Sequence, residues 1–470
     1  MSKRGQHLQE LPVNIVGSTV FGRYPKISVE QTFNMIISDD FLVPYAGYKQ
    51  ILSLSSEGSG RGIFNSSKVG KMFVVINSNI YSIDANLNYQ FINTIDTTTG
   101  DVFIDENDNN QIAFCDRDSM YIYNYSTGDF QKAALDFIPG YVCFQDGYFI
   151  APDINSARWE LSALNNGLSW PAAPNQVGGF QTKPDNPVAC VRLPGKGNSL
   201  LVMGKTVTEH WVDVGYQLFP YQRTSGYNID YGCLSPATIA YGDNFVIWLG
   251  INEKSGPVIM YSSGGEVQQI SNDGINFKFA QLTKPEDSSA FLFKQDGHLI
   301  YQITFKTDNF SLIFDFNTKK FFTLCDDYMN YHIAKKVVFF NNTYYFISFN
   351  DGNLYELNTK YTANEGKEIP RVRVTNSIRL PDSSQFIINN LEMVIEEGTD
   401  ALLQRVDLSI STDGGVSFGN IVGQDLNKLG KRHNRLVFWN LGLANEVVYQ
   451  ARFWATGRFV VGNGATSIYQ

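Results

Sequence analysis

The sequence predicts an all-β chain: a β-propeller of seven blades, or six if one degenerate unit is a connection, followed by a small C-terminal β-sandwich. Three observations carry this expectation. A strand–turn–strand–turn–strand unit recurs with starts roughly 40 to 50 residues apart, about the length of a four-stranded propeller blade. Aromatic residues make up 14% of the chain and charged residues 18%, a balance expected where strands rather than surface helices dominate. After residue 366 the pattern changes to longer apolar/polar alternation.

The clearest unit runs from Tyr331 to Asn358, YHIAKKVVFFNNTYYFISFNDGNLYELN. Tyr, Phe, Val and Ile fit a pleated surface, while Asn341-Asn342 and Asn350-Asp351-Gly352 supply residues that tolerate the positive φ of short hairpins. One such meander cannot bury both its faces, so recurrence decides the architecture. Similar units are read over 61–95, 101–135, 141–170, 187–215, 238–271 and 289–325. No WD or kelch signature marks them.

In chain order, residues 1–60 read as an extended lead-in that closes the propeller, punctuated by Pro12, Pro25, Pro44 and Gly47. Residues 61–362 are the propeller. Within them, SALNNGLSWPAAPNQVGGFQTKPDNP has the Pro, Gly and Asn content of a long connection. The polar run TANEG marks the boundary, and residues 367–470 hold six alternating segments that suit a β-sandwich. The final strand, GATSIYQ, reads as an exposed edge.

Several function classes are disfavoured. A net charge of −9 argues against a general electrostatic nucleic-acid binder, which carries a basic face. Cys115, Cys143, Cys190, Cys233 and Cys325 stand singly, as expected of buried free thiols in a reducing cytoplasm. The N-terminus MSKRGQHLQELP lacks the apolar core of a signal peptide, and no apolar run approaches a membrane span. His7, His210, His298, His332 and His433 never fall at metal-ligand spacing, and H-E-x-x-H, Walker A and G-x-S-x-G motifs are missing. Neither a metal nor a cofactor is expected.

Three blocks carry a resemblance. From Leu11 to Asp84 the runs LPVN, FNMIIS, LVPYAG, GSGRGIF and MFVVINSNIYSID resemble the start of the phage stabilisation protein family, the packaged-DNA stabilisation or tail-nozzle proteins of short-tailed bacteriophages. TEHWVDVGYQLFPYQRTSGYNIDYGCLSPATIAYGDNFVIWLG with GGEVQQISNDGIN resembles the same family, as does SISTDGGVSFG followed by RHNRLVFWNLG. The resemblance spans most of the chain in order and is weakest between Trp159 and Pro187. It implies a non-enzymatic virion protein of the phage tail, made in the host cytoplasm. Six copies would form a ring below the portal and the head-to-tail adaptor, touching that adaptor and other tail proteins. The ring would continue the channel for double-stranded DNA without sequence-specific binding, retain the packaged genome and permit its ejection.

Two local signals are weighed against this reading. Ser411, Asp413, Gly415 and Phe418 lie in STDGGVSF, which resembles an Asp box, S-x-D-x-G-x-[ST]-[WF], of the kind repeated in sialidase propellers. Its physical role is to lock a hairpin turn. A single copy outside the propeller makes a carbohydrate-active or carbohydrate-binding propeller the runner-up. Carboxylate pairs for glycoside hydrolysis are not identifiable, and the stretch from Asp105 to Asp108 reads as a solvated turn.

The sharpest charge feature is Lys428, Lys431, Arg432, His433 and Arg435, beside Phe438 and Trp439. It reads as a solvated loop, as a subunit or adaptor contact, or as a phosphate contact in a DNA channel. A conduit that must release DNA gains little from tight phosphate binding. The contact reading makes Lys428, Lys431, Arg432, Arg435, Phe438 and Trp439 the candidate interface, because arginine and aromatic residues together are enriched at binding hot spots.

Overall fold

The computed structural model describes residues 8–24, 30–171, 177–264, 266–397, 403–426 and 433–469. Within them, antiparallel meanders follow one another over 60–94, 103–132, 143–179, 187–229, 232–269, 289–324 and 334–358. These are blades one to seven, the larger of the two counts that the period predicts. Successive blades neighbour one another through their inner strands, and Ala334–Phe340 of blade seven lies against Gly60–Ser66 of blade one, which closes the ring. Middle strands such as Gln111–Cys115 and Ser199–Gly204 are buried along their whole length, because each blade is covered on both faces by its neighbours.

Turn chemistry sets the blades' inner hairpins. Asp146-Gly147, Asp296-Gly297 and Asn341-Asn342 all take positive φ at both positions, the requirement of a two-residue turn whose twist matches its strands. The Asn350-Asp351-Gly352 turn works differently. Its φ angles are not positive, and Asp351 Oδ1 instead accepts from the Asn353 amide at 3.0 Å. The stretch expected as a long connection, SALNNGLSWPAAPNQVGGFQTKPDNP, supplies the outermost strand of blade three, Val177–Gly179.

The N-terminal segment does more than close the ring. Strand Gly47–Ser55 is the fourth strand of blade seven, antiparallel to Gly352–Asn358 with Leu52 opposite Leu354. Since Gly60–Ser66 of blade one follows at once, a single stretch of backbone ties the last blade to the first.

Earlier strands go elsewhere. A first terminal sheet runs Met35–Ser38, Phe41–Pro44, Phe459–Tyr469, Phe386–Glu397, His433–Ala444, with Leu8–Val13 also on Phe459–Tyr469. A second runs Gln31–Phe33, Arg371–Val374, Glu446–Ala455, Leu403–Ser411, Val422–Asp425, and Phe33 bridges it to Thr323 of blade six. The C-terminal strands therefore do not make a sandwich of their own. Both sheets contain strands from the N-terminal segment, and one core joins them, including Met35, Leu391 and Phe438 from the first and Val406, Tyr449 and Phe453 from the second. The final strand is also not an edge, because Leu8–Val13 and Phe386–Glu397 pair with it on either side.

Buried arginine and asparagine side chains hold these chain-distant pieces together. Arg373 has no exposed surface and donates to the carbonyls of Asn14, Ile15 and Ser18 at 3.0, 2.9 and 3.1 Å. Asn34 donates to the carbonyls of Cys325 and Pro370 at 3.0 and 2.8 Å, joining the exit of blade six to the start of the C-terminal strands. All five cysteines are free and buried, and burial pushes the Cys115 thiol up to about 12.

Candidate interface

The first terminal sheet positions the surface of interest. Along Phe386–Glu397 the residues Phe386, Ile388, Leu391, Met393 and Ile395 are buried in the shared core. Their spacing skips one position after Ile388 because a bulge there resets the alternation. The opposite face presents Ile387, Glu392 and Val394. Residues directly opposite in antiparallel strands share a face, so register locates the rest of the surface.

One row crosses four strands: Leu443 opposite Ile387, Ile387 opposite Tyr469, and Tyr469 opposite Leu8. Leu443, Ile387 and Leu8 are 57%, 43% and 55% exposed, and Tyr469 is half-buried. On the same outer face, Trp439 is 58% exposed and stands opposite Asn390. Val394 is opposite Arg435. An exposed apolar surface assembled from both ends of the chain is the kind of patch that marks an interaction site.

Arg435 forms an ordered charge pair with Glu392 on this face. Arg435 Nη2 donates to Glu392 Oε2 at 2.6 Å, and Nε donates to the other carboxylate oxygen. This contact holds the Glu392 carboxyl below its ordinary range and raises the Arg435 guanidinium. A bidentate fork of this kind fixes the direction of both side chains.

The sequence-predicted interface residues separate accordingly. Lys428, Lys431 and Arg432 lie outside the described residues. Arg435 and Trp439 are on the outer face, whereas Phe438 is fully buried opposite Leu391 and belongs to the core. Strand alternation puts neighbours on opposite faces, so only one of the adjacent aromatics can be outside. Sequence reasoning missed Leu8, Ile387, Leu443 and Tyr469, because the pairings that join them span most of the chain. The alternation of QFIINNLEMVIEEG was the available signal for Ile387.

The hairpin containing Ser411, Asp413, Gly415 and Phe418 leaves the second terminal sheet. Ser411 Oγ donates to Asp413 Oδ1 at 2.6 Å and accepts from the Gly415 amide at 2.8 Å. Asp413 also accepts from the amides of Val416 and Ser417, and from Ser417 Oγ at 2.6 Å. These hydrogen bonds hold its carboxyl well below the usual range. Phe418 packs against the cluster of Val372, Val374 and Val448. The arrangement locks a turn outside the seven blades. It also displays Val416, Ile421 and Val422 at 78%, 65% and 44% exposure, a second apolar patch on a different sheet.

No group of three or more His, Cys, Asp or Glu among the described residues could hold a metal ion. No described helix is long and apolar enough to cross a membrane.

Among solved structures, the chain is similar to the N-terminal domain of Nup159, with 11% identity, TM-score 0.43, and coverage of 71% of this chain and 99% of that one. Virginiamycin B lyase from Staphylococcus aureus matches with 12% identity, TM-score 0.42, and coverage of 75% and 99%. The Neurospora crassa Pan2 WD40 domain matches with 9% identity, TM-score 0.43, and coverage of 68% and 96%. No curated protein matches the chain. The family model described as Phage_stabilise, Bacteriophage P22 Gp10, beta-propeller, matches residues 20–362, which include the strand that closes the ring and every blade. The chain therefore belongs to the phage stabilisation family, the β-propeller family of bacteriophage P22 Gp10.

Proposed function

We propose that this protein is a non-enzymatic structural component of a phage tail that acts as a hexameric ring below the portal and the head-to-tail adaptor. In this reading the ring continues the DNA channel, retains the packaged genome and permits its ejection. The observation that carries it is the family match over residues 20–362. Two further features support an assembly role. The outer face of the first terminal sheet exposes Trp439, Leu443, Ile387 and Leu8, and the second terminal sheet exposes Val416, Ile421 and Val422. Protomers in a closed ring meet through two different patches, and two separate apolar surfaces on different sheets support that reading.

The adaptor and other tail proteins are the remaining partners of this reading, and double-stranded DNA passes through without sequence-specific contact. With a net charge of −9, the channel wall is expected to be neutral or acidic on balance, so that DNA slides rather than adheres. Complementation tests the proposal. A phage lacking this protein, supplied with the wild-type chain, should yield DNA-filled infectious particles. Omitting the chain should leave particles that lose their DNA, and DNA-filled infectious particles without it would contradict the proposal.

A further inference from the structure

Blades three and four meet through polar side chains where the inner hairpin of blade three turns. Gln145 and Asp146 stand at that hairpin, Asp146 with a φ of 51°. Asp213 ends the third strand of blade four, Thr208–Asp213, and lies directly opposite Tyr221 of the fourth, Tyr221–Ile229. Opposite residues share a face, and the Tyr221 ring is 5.7 Å from that of Trp159 in blade three, so this face looks across the junction. Gln145 crosses in the other direction. Its Nε2 donates to the Gly197 carbonyl of blade four at 2.8 Å.

Oxygen atoms converge at this junction without a positive charge to balance them. Burial raises the Asp146 carboxyl, and so do the charge of Asp213 and direct contact with its carboxyl. Neither carboxylate has an ion-pair partner among the described residues. Asp213 Oδ1 accepts from the Gly215 amide at 2.8 Å, which orients the group without neutralising it. Two buried neutral oxygens lie alongside. Gln145 is 6% exposed and its Oε1 has no hydrogen-bond partner; Tyr221 is 3% exposed and its hydroxyl has none either. Burial, then the nearby Cys143, Asp146 and Asp213, raise that hydroxyl and keep it neutral. A buried polar atom without a partner is costly, and two of them beside touching carboxyls call for a ligand that oxygen can hold.

We propose that Asp146, Asp213 and Gln145 Oε1 bind a calcium ion that ties blade three to blade four, with the Tyr221 hydroxyl facing the ion and water filling the exposed side. Calcium takes about six to eight oxygens from carboxylates, side-chain amides and water, whereas magnesium demands a near-ideal octahedron. Two carboxylates match a doubly charged ion. An ammonium would leave one of their charges uncompensated. With two acidic members the set is smaller than the groups of three or more His, Cys, Asp or Glu that are missing among the described residues, and its other donors are neutral. The loop that follows Asp213 is closed by the Val214 amide on the Pro220 carbonyl at 2.8 Å and exposes Tyr216 and Leu218, so the ion also anchors an apolar loop.

Isothermal titration of the chelator-treated full chain with calcium chloride, and separately with magnesium chloride, tests this. Saturable calcium binding, with weaker binding of magnesium, is the expected result. Asp146→Asn and Asp213→Asn are each expected to weaken it about tenfold or more, because the count of charged ligands sets calcium affinity. Calcium is also expected to slow hydrogen exchange at the 145–148 hairpin and in the 213–221 segment. Asp146 is exposed with a φ of 51°, which Asn adopts readily, so Asp146→Asn keeps the fold and decides alone if Asp213→Asn does not fold. The proposal is overturned if calcium does not saturate, as it would not if the two carboxyls simply share a proton. It is equally overturned if magnesium binds as tightly, or if Asp146→Asn retains wild-type affinity.

Discussion

Arg435 grips Glu392 across two paired strands, with Nη2 2.6 Å from Oε2, and so fixes the polar rim of an otherwise apolar sheet face. Reversing the charge tests what that rim does. Arg435→Glu places two carboxylates side by side on a solvated surface, where charge pairs contribute little to folding. The melting temperature is expected to stay close to wild type. Assembly onto adaptor-bearing particles, scored as the yield of DNA-filled infectious particles, is expected to fall.

The row from Leu8 to Leu443 tests the apolar half of the same surface. Ile387→Lys combined with Leu443→Lys adds charge at two exposed, directly opposite positions. The monomer is expected to fold, with an unchanged circular dichroism spectrum. Sedimentation velocity at high protein concentration is expected to show less self-association than wild type, and unchanged association would remove this row from the contact.

Arg373 makes a different kind of prediction, because it is buried and its partners come from another part of the chain. Arg373→Ala strands the carbonyls of Asn14, Ile15 and Ser18 and leaves the Glu30 carboxylate without its guanidinium. Removing one partner of a buried ion pair costs about 3–5 kcal/mol. Urea denaturation is expected to show that loss, and hydrogen exchange is expected to quicken first in the segment from Asn14 to Ser18.

His332 predicts an acid-sensitive step. Burial lowers its pKa to about 4, and Nδ1 lies 3.1 Å from Gln302 Nε2. The unfolded chain takes up this proton near pH 6.5, while the folded chain resists it to about 4. Between these values the unfolded state binds more protons, so stability is complete above about pH 6.5 and falls on acidification, by up to about 3 kcal/mol. Denaturation at neutral pH and near pH 4.5 measures the slope. His332→Gln is expected to flatten it.

Much of the ring was legible because its signals are local. Asn341-Asn342 and Asp296-Gly297 announce hairpins through backbone requirements that few residues meet, and the strands between them repeat at blade length. Closure was less accessible. Leu52 finds Leu354, and Leu8 finds Tyr469, through pairings that no local pattern encodes. The same limit explains the final strand, whose composition suits an edge but whose two neighbours arrive from distant parts of the chain. At the interface, Phe438 and Trp439 both read as contact residues, although strand alternation puts such neighbours on opposite faces. Which one points inward depends on the facing strands Phe386–Glu397 and Glu446–Ala455, and the core claims Phe438.

The assembly claim is tested most directly by negative-stain imaging of the purified protein mixed with adaptor-bearing portal complexes. The account predicts a sixfold ring of added density on the adaptor, coaxial with the portal, with the central channel open. A protein that stays dispersed as monomers and leaves the adaptor bare, at concentrations where adaptor and portal are bound to each other, would contradict it.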